Sequence, residues 1–171
     1  MNKIRLWLSH PRLPIAVALL AVVLTLPSVW NGLNLDDYYH RLILSGNDRF
    51  SPSSASPFNL FCFYDGDPGE NRRLMEKGMV AWFYSTNIRF SFFRTLGSLT
   101  YWFDYLLWPD TPVLMHLQNV VWFGMLIFLT ASLYKRIIGI PWVAGLAALL
   151  YAIDDSHGAS VGSLADRSTL M

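Results

Sequence analysis

Three long stretches of the chain carry no charged side chain, and polar residues are concentrated between and after them. No Asp, Glu, Lys or Arg occurs in residues 13–35, 111–134 or 137–153. About 20 apolar residues in a helix cross the roughly 30 Å hydrocarbon core of a bilayer. The first two stretches reach this length, and the third is near its lower limit. The pattern predicts an all-α polytopic membrane protein with three transmembrane helices, at residues 13–33, 112–134 and 137–153.

The long segment at residues 34–111 is predicted to be a loop that contains short helices. Helices are expected at residues 36–44, 70–79 and 94–108. In the last of these, apolar residues follow an i, i+3, i+4 rhythm, so we expect an amphipathic helix in the membrane interface. A fourth span is the alternative. However, Arg94 and Asp104 would then lie ten residues apart in a stretch too short to cross.

Basic residues next to the predicted spans set the expected orientation. Lys3, Arg5 and Arg12 precede the first span, and Lys135 and Arg136 form the predicted turn at 135–136. The positive-inside rule places both groups in the cytoplasm, together with residues 1–12. The 34–111 loop and the segment at residues 154–171 then lie on the outer side, in the periplasm or the lumen.

The basic, apolar start also fits a cleavable signal peptide. The sequence around residues 27–32 lacks a convincing small-x-small cleavage site, which favours an uncleaved signal-anchor. The chain ends shortly after the third predicted span, so we expect it to be the N-terminal part of a longer or truncated protein. A bacterial inner membrane is the preferred location, because the cytoplasmic start is short and no retention signal is visible.

Composition narrows the class of function. The chain has 53% hydrophobic and 15% charged residues, and its formal net charge is +1. The aromatic content argues against disorder, and the missing basic stripe argues against a nucleic-acid partner. Cys62 is the single cysteine, so no intramolecular disulfide and no cysteine-based metal site can form. Membrane lipid is therefore an expected partner of the chain.

Two acidic pairs are the most suggestive polar groups. Asp36 and Asp37 follow the first span, and Asp154 and Asp155 follow the third, near His157. Adjacent carboxylates can hold a divalent cation, Mg²⁺ or Mn²⁺, or divide the roles of base and electrostatic stabiliser. A solvated helix end explains each pair equally well. Convergence of the two pairs on one metal ion cannot be read from spacing.

Arginines on the outer side are candidates for binding phosphate. Guanidinium groups suit phosphate oxygens, and Arg89, Arg94 and Arg167 are all expected on that side. Contact with lipid headgroups is the alternative for each of them. No P-loop, dinucleotide fingerprint or His-Glu-x-x-His motif is present.

The order of these motifs resembles the N-terminal part of GT-C type membrane glycosyltransferases. The acidic motif is Leu35-Asp36-Asp37-Tyr38-Tyr39-His40, directly after the first span. The run Phe93-Arg94-Thr95-Leu96, Asp104-Tyr105, Trp108 and His116-Leu117-Gln118-Asn119 is similar to one in O-mannosyltransferase-like members that often carry TPR repeats. Ala165-Asp166-Arg167 is similar to their later Gly-Arg stretch. The sequence departs from the pattern of this group at two places. Asp154-Asp155 stands where the group usually has His-Pro, and Thr95 replaces the proline that usually follows the arginine.

The resemblance implies transfer of a sugar from a polyprenyl-phosphate-linked donor to an acceptor on the outer face. Asp36 or Asp37 would act as the general base or hold a metal ion. Arg94, Arg167 and His157 would bind the lipid phosphate. The main alternative is a non-enzymatic three-span scaffold that binds a partner through the outer loop. A transporter piece is less favoured, because the predicted spans contain no charge.

Overall fold

The structure is a computed structural model that describes residues 3–46 and 52–171 of the chain. It is mostly helical, as predicted, and it divides into two compact units. Unit 1 contains residues 1–32 and 112–171, and unit 2 contains residues 33–111. Parts of the predicted N-terminal segment 1–12 and of the predicted loop 34–111, namely residues 1–2 and 47–51, lie outside the described residues.

Unit 1 is built on two long apolar helical stretches. Helix α1 (Lys3–Leu8) precedes α2 (Leu13–Thr25), which continues as a 3₁₀ helix (Leu26–Trp30). Pro14 fits the first turn of α2, where a helix needs no backbone donor. The longest helix, α6 (Pro112–Ile137), packs against both α2 and the 3₁₀ helix. Both stretches are long and apolar enough to cross a membrane.

The core of unit 1 lies between α2 and α6. Leu13, Val17 and Ala21 repeat every four residues and are buried in one cluster with Phe123 and Ile127 of α6. A Cβ atom on Gly124 would stand 2.7 Å from a methyl group of Val22. The two helices therefore approach closely where a residue without a side chain allows it.

The third predicted span, at residues 137–153, is not confirmed. Helix α7 (Pro141–Ala152) has 12 residues, so it rises only about 18 Å. The apolar run also contains the end of α6 and a connection at residues 138–140, because Pro141 begins a new helix. Lys135 and Arg136, which we placed in a turn, lie in the last turn of α6.

The predicted end segment, residues 154–171, is folded. It forms α8 (His157–Gly162) and a 3₁₀ helix (Ala165–Thr169), and it packs on α6. At the other end of α6, the Lys135 ammonium donates to the backbone carbonyls of His10 and Pro11, at 2.8 and 3.3 Å. The two basic groups of the sequence therefore lie at the same end of unit 1.

Unit 2 is a folded unit with a small sheet that the sequence did not predict. Strands β1 (Cys62–Asp65) and β2 (Arg89–Ser91) pair antiparallel, with a bulge between Cys62 and Tyr64. The three predicted helices are confirmed with shifted ends, as α3 (Leu35–Leu44), α4 (Pro68–Glu76) and α5 (Thr95–Leu107). Leu60, Phe61, Leu74, Val80 and Tyr101 are its largest buried apolar side chains.

Helix α5 buries small and polar side chains and leaves much of its apolar face exposed. Its buried positions are Gly97, Ser98, Tyr101 and Asp104. The apolar side chains Leu96, Phe103, Leu106 and Leu107 are exposed. An outward apolar face agrees with the expected location in a membrane interface, which stays a prediction.

Candidate functional site

Asp36 and Asp37 occupy the first turn of α3, where their side chains have different environments. The Asp37 side chain is fully buried and accepts a hydrogen bond from the backbone N–H of Asn34 at 2.9 Å. This is half of a capping box, which satisfies a donor that the helix start leaves open. Asp36 is exposed. Of the two predicted catalytic carboxylates, Asp36 is therefore open to a reactant, whereas Asp37 holds the helix start.

A second bond fixes the start of α3 inside unit 2. The hydroxyl group of Tyr101, on α5, donates to the backbone carbonyl of Asp37 at 3.0 Å. Tyr101 is buried, so this bond is shielded from water. The position of the acidic pair is consequently set by α5 as well as by the local cap.

His40 lies one turn after the acidic pair in a cage of aromatic rings. Its ring is 4.6 Å from that of Phe61 and 5.2 Å from that of Tyr101, measured between centroids. Within the described residues, neither ring nitrogen has a hydrogen-bond partner. Burial, with a smaller effect of the Arg94 charge, lowers the pKa of His40 to about 4. The imidazole is therefore neutral at physiological pH.

Arg94, a predicted phosphate ligand, precedes α5 in unit 2. Its guanidinium carbon lies 5.1 Å from the Phe61 ring centre and 5.3 Å from that of Phe92, which are cation–π distances. The side chain is half-buried. Arg94 is thus in the same unit as Asp36 and Asp37 and is held against two aromatic faces.

A cavity of about 540 Å³ opens on unit 2 near the β2 strand. Its walls combine a guanidinium group with aromatic rings and small polar groups, supplied by Phe58, Asn59, Arg89, Ser91, Phe92, Phe93 and Thr95. Thr95 is the first residue of α5, where backbone N–H groups are open. The walls suit a molecule that has both an anionic and an apolar part. The sequence indicated Arg89 only as one of three cations on the outer side.

Arg167, the second predicted phosphate ligand, is in unit 1 and is 1% exposed. Its Nη2 donates to the Met115 carbonyl at 3.1 Å, and its Nε donates to Asn119. These partners belong to the chain itself. The placement does not favour the expected phosphate contact, and it assigns the side chain a structural role.

The acidic pair at 154–155 also lies in unit 1, in the turn between α7 and α8, and His157 begins α8. Oδ1 of Asp154 accepts from the Ser156 backbone N–H at 2.9 Å, and this bond holds the pKa of Asp154 below its usual value. The Nε2–H of His157 donates to the Tyr151 carbonyl at 3.1 Å. Its ring packs on Tyr151 and Phe123. The contacts of Asp154 and His157 are therefore local ones within unit 1.

The divalent cation expected at Asp36 and Asp37, or at Asp154 and Asp155, stays a prediction. Across residues 3–46 and 52–171, no three His, Cys, Asp or Glu side chains form a group that could hold a metal ion. A Ca²⁺ or Mg²⁺ site normally needs several converging oxygen ligands.

His116, near the start of α6, illustrates a polar residue with a packing role. Its Nε2–H donates to the Gly32 carbonyl at 2.6 Å, at the point where the chain leaves unit 1. Gly32 has a φ of +70°, a left-handed conformation that favours glycine. The bond therefore fixes the exit of the chain after the first apolar stretch.

Comparison with known proteins adds no family to these observations. No family model, no curated protein and no solved structure matches the chain. The resemblance to GT-C glycosyltransferases thus depends on the short motifs in the sequence alone.

Proposed function

We propose that this chain is the N-terminal membrane module of a GT-C-like glycosyltransferase. It transfers a sugar from a polyprenyl-phosphate-linked donor to an acceptor on the outer face of the membrane. The stretches Leu13–Trp30 and Pro112–Ile137 span the bilayer. The N-terminus and Lys135 are cytoplasmic, in a bacterial inner membrane, and unit 2 is on the outer side.

The low burial of the two apolar stretches supports the membrane part of the proposal. Only 28% of the apolar window in Leu13–Trp30 is buried, and 39% of that in Pro112–Ile137. The core helix of a soluble protein would bury most of such a surface, because exposing it to water is costly. Lipid removes this cost. The basic groups at one end of unit 1 fit the positive-inside rule.

The catalytic part of the proposal depends on one observation, that Asp36 is exposed whereas Asp37 is buried. An exposed carboxylate in the first turn of a helix, fixed by a buried neighbour, is a positioned base. Asp36 would take the proton of an acceptor hydroxyl group. The acceptor oxygen then bonds to the anomeric carbon, and the bond from that carbon to the phosphate oxygen breaks. The electron pair of the broken bond stays on the lipid phosphate.

The departing phosphate needs a positive group nearby, since negative charge grows on its oxygen. Arg89 lines the cavity in unit 2, and Arg94 belongs to the motif run; these two guanidinium groups are proposed to face the phosphate. The three phenylalanines of the cavity suit the apolar end of a prenyl phosphate. No metal ion is required in this scheme.

The test is sugar transfer in membranes from cells that express the gene encoding this chain. Radiolabelled polyprenyl-phosphate donors are compared for wild type, Asp36→Asn and Glu76→Gln. Glu76 is an exposed acidic residue at the end of α4 and serves as the matched control. We expect loss of transfer only in Asp36→Asn. Unchanged transfer in Asp36→Asn would remove this residue as the base. Inserted wild-type protein that transfers from none of the donors would leave the scaffold interpretation.

A further inference from the structure

Three consecutive aromatic side chains project from unit 2 between α4 and β2. Trp82, Phe83 and Tyr84 are 88%, 67% and 48% exposed. Their rings contact one another, with centroids 5.8 Å apart for the first pair and 4.9 Å for the second. Three adjacent aromatic side chains left in water cost more than scattered exposed residues and mark an interaction surface.

The base of this aromatic loop is held firmly. The buried Asn71 side chain donates to the carbonyls of Thr86 and Ile88, at 2.7 and 2.8 Å. Val80, just before the loop, is 2% exposed. The exposed tip is therefore held in place by packed and hydrogen-bonded residues on both sides of it. Such preorganisation lowers the entropy cost of binding.

We propose that the Trp82-Phe83-Tyr84 loop inserts into the lipid–water interface and docks unit 2 on the membrane surface. This rests on the proposed spanning role of the two apolar stretches. Trp and Tyr place an apolar body and a polar edge at the level of the lipid headgroups, where both are satisfied. The proposed occupant is lipid.

The charges within the segment that contains the loop fit a lipid partner. Residues 77–89 contain no Asp or Glu, and their only charges are Lys77 and Arg89, one at each end. Both side chains are exposed. Basic residues that flank an inserting segment are attracted to anionic headgroups.

The chain connection also favours lipid over a soluble partner. Unit 2 continues directly into the two apolar stretches, since Leu33 follows Trp30 by three residues and Pro112 follows Thr111. Both ends of unit 2 are then tethered at the membrane. Tethering makes the encounter intramolecular, so a weak insertion of three side chains is enough.

The experiment places an environment-sensitive fluorophore on the loop in the full-length chain. Phe83→Cys is labelled with a nitrobenzoxadiazole dye in vesicles of phosphatidylcholine and phosphatidylglycerol that contain doxyl-labelled lipids. Arg72→Cys, on the exposed side of α4, is the control in the same unit. Met125→Cys, in the middle of α6, is the reference for a membrane span. The native Cys62 is buried, so the unsubstituted chain serves as the labelling blank.

We expect blue-shifted emission and loss of most fluorescence to shallow doxyl groups for the label at position 83, and neither change at position 72. Replacing Trp82 and Tyr84 by serine should reduce the quenching at position 83 without unfolding, because both side chains are exposed. Quenching at position 125 but not at 83 would overturn the loop proposal and leave the spans in place. A blue shift at 83 without lipid quenching would mean a protein partner and would also overturn it. No quenching at 125 would reject the spans and the loop insertion together.

Discussion

The guanidinium group of Arg167 donates from Nε to Oδ1 of Asn119 at 2.5 Å, inside unit 1. Both side chains are buried. The Asn119 amide in turn donates to the carbonyls of Val161 and Ser163, at 3.3 and 2.9 Å. One polar side chain of α6 thereby holds the end segment of the chain at three points. The bonds replace water at groups whose burial would otherwise be costly.

Arg167→Ala should loosen the segment at residues 154–171 from α6. Hydrogen bonds of a charged donor contribute about 1.5–3 kcal/mol each, so we expect a clear fall of the unfolding midpoint. Limited proteolysis of the detergent-solubilised chain should show faster cleavage in this segment. Arg136→Ala, at an exposed position in the last turn of α6, is the control. Equal proteolysis of both variants would contradict a structural role of Arg167.

Asp37→Ala should destabilise unit 2, whereas Asp36→Ala should not. The Asp37 carboxylate accepts from the Asn34 backbone in a buried setting, and loss of such a bond costs about 1.5–3 kcal/mol. Asp36 is exposed, so its removal should leave the unfolding midpoint nearly unchanged. Circular dichroism during thermal unfolding measures both variants. A larger effect of Asp36→Ala would mean that the assignment of the two carboxylates is reversed.

His40 should make the chain less stable as the pH falls from about 6.5 to about 4. The unfolded chain binds a proton on His40 below its ordinary pKa of 6.5, whereas the folded chain resists it until about pH 4. Stability is therefore complete above pH 6.5, and the loss reaches about 3 kcal/mol at the lower end.

The matched variant is His40→Phe, since the cage around this ring is aromatic. Denaturant unfolding at a series of pH values should give a flatter profile for this variant between pH 6.5 and 4. Carboxylates titrate in both proteins, so the difference between the two profiles isolates His40. Parallel profiles would show that the imidazole is not buried in neutral form.

Gly145→Ala should disturb the contact between α7 and the end of α1. A Cβ atom at this position would stand 2.6 Å from a methyl group of Leu13 and would also collide with the backbone of Leu8. Backbone cannot move aside cheaply, and overpacking of this kind costs about 1–3 kcal/mol. Gly139→Ala is the control, because nothing lies within 4 Å of its added methyl group. We expect a lower unfolding midpoint only for Gly145→Ala.

Local sequence patterns determined much of the helical structure. The start of α3 follows from its acidic first turn, and the start of α6 from Pro112, since caps and prolines act within one helical turn. The third predicted span is not a single helix in the structure, because an apolar run in the sequence can continue past the end of a helix. Pro141 divides the run into the end of α6 and the short α7.

Pairing and burial were decided by the tertiary structure. The strands Cys62–Asp65 and Arg89–Ser91 are separated by a helix and a loop, so no local pattern specifies their register. From the sequence, Asp36 and Asp37 had the same predicted role as catalytic carboxylates, and Arg167 and Arg94 had the same predicted role as phosphate ligands. The fold buries Asp37 and Arg167 and leaves Asp36 exposed, because burial depends on residues far away in the chain. Residue type and spacing determined which groups could do chemistry, and long-range packing decided which of them remain available.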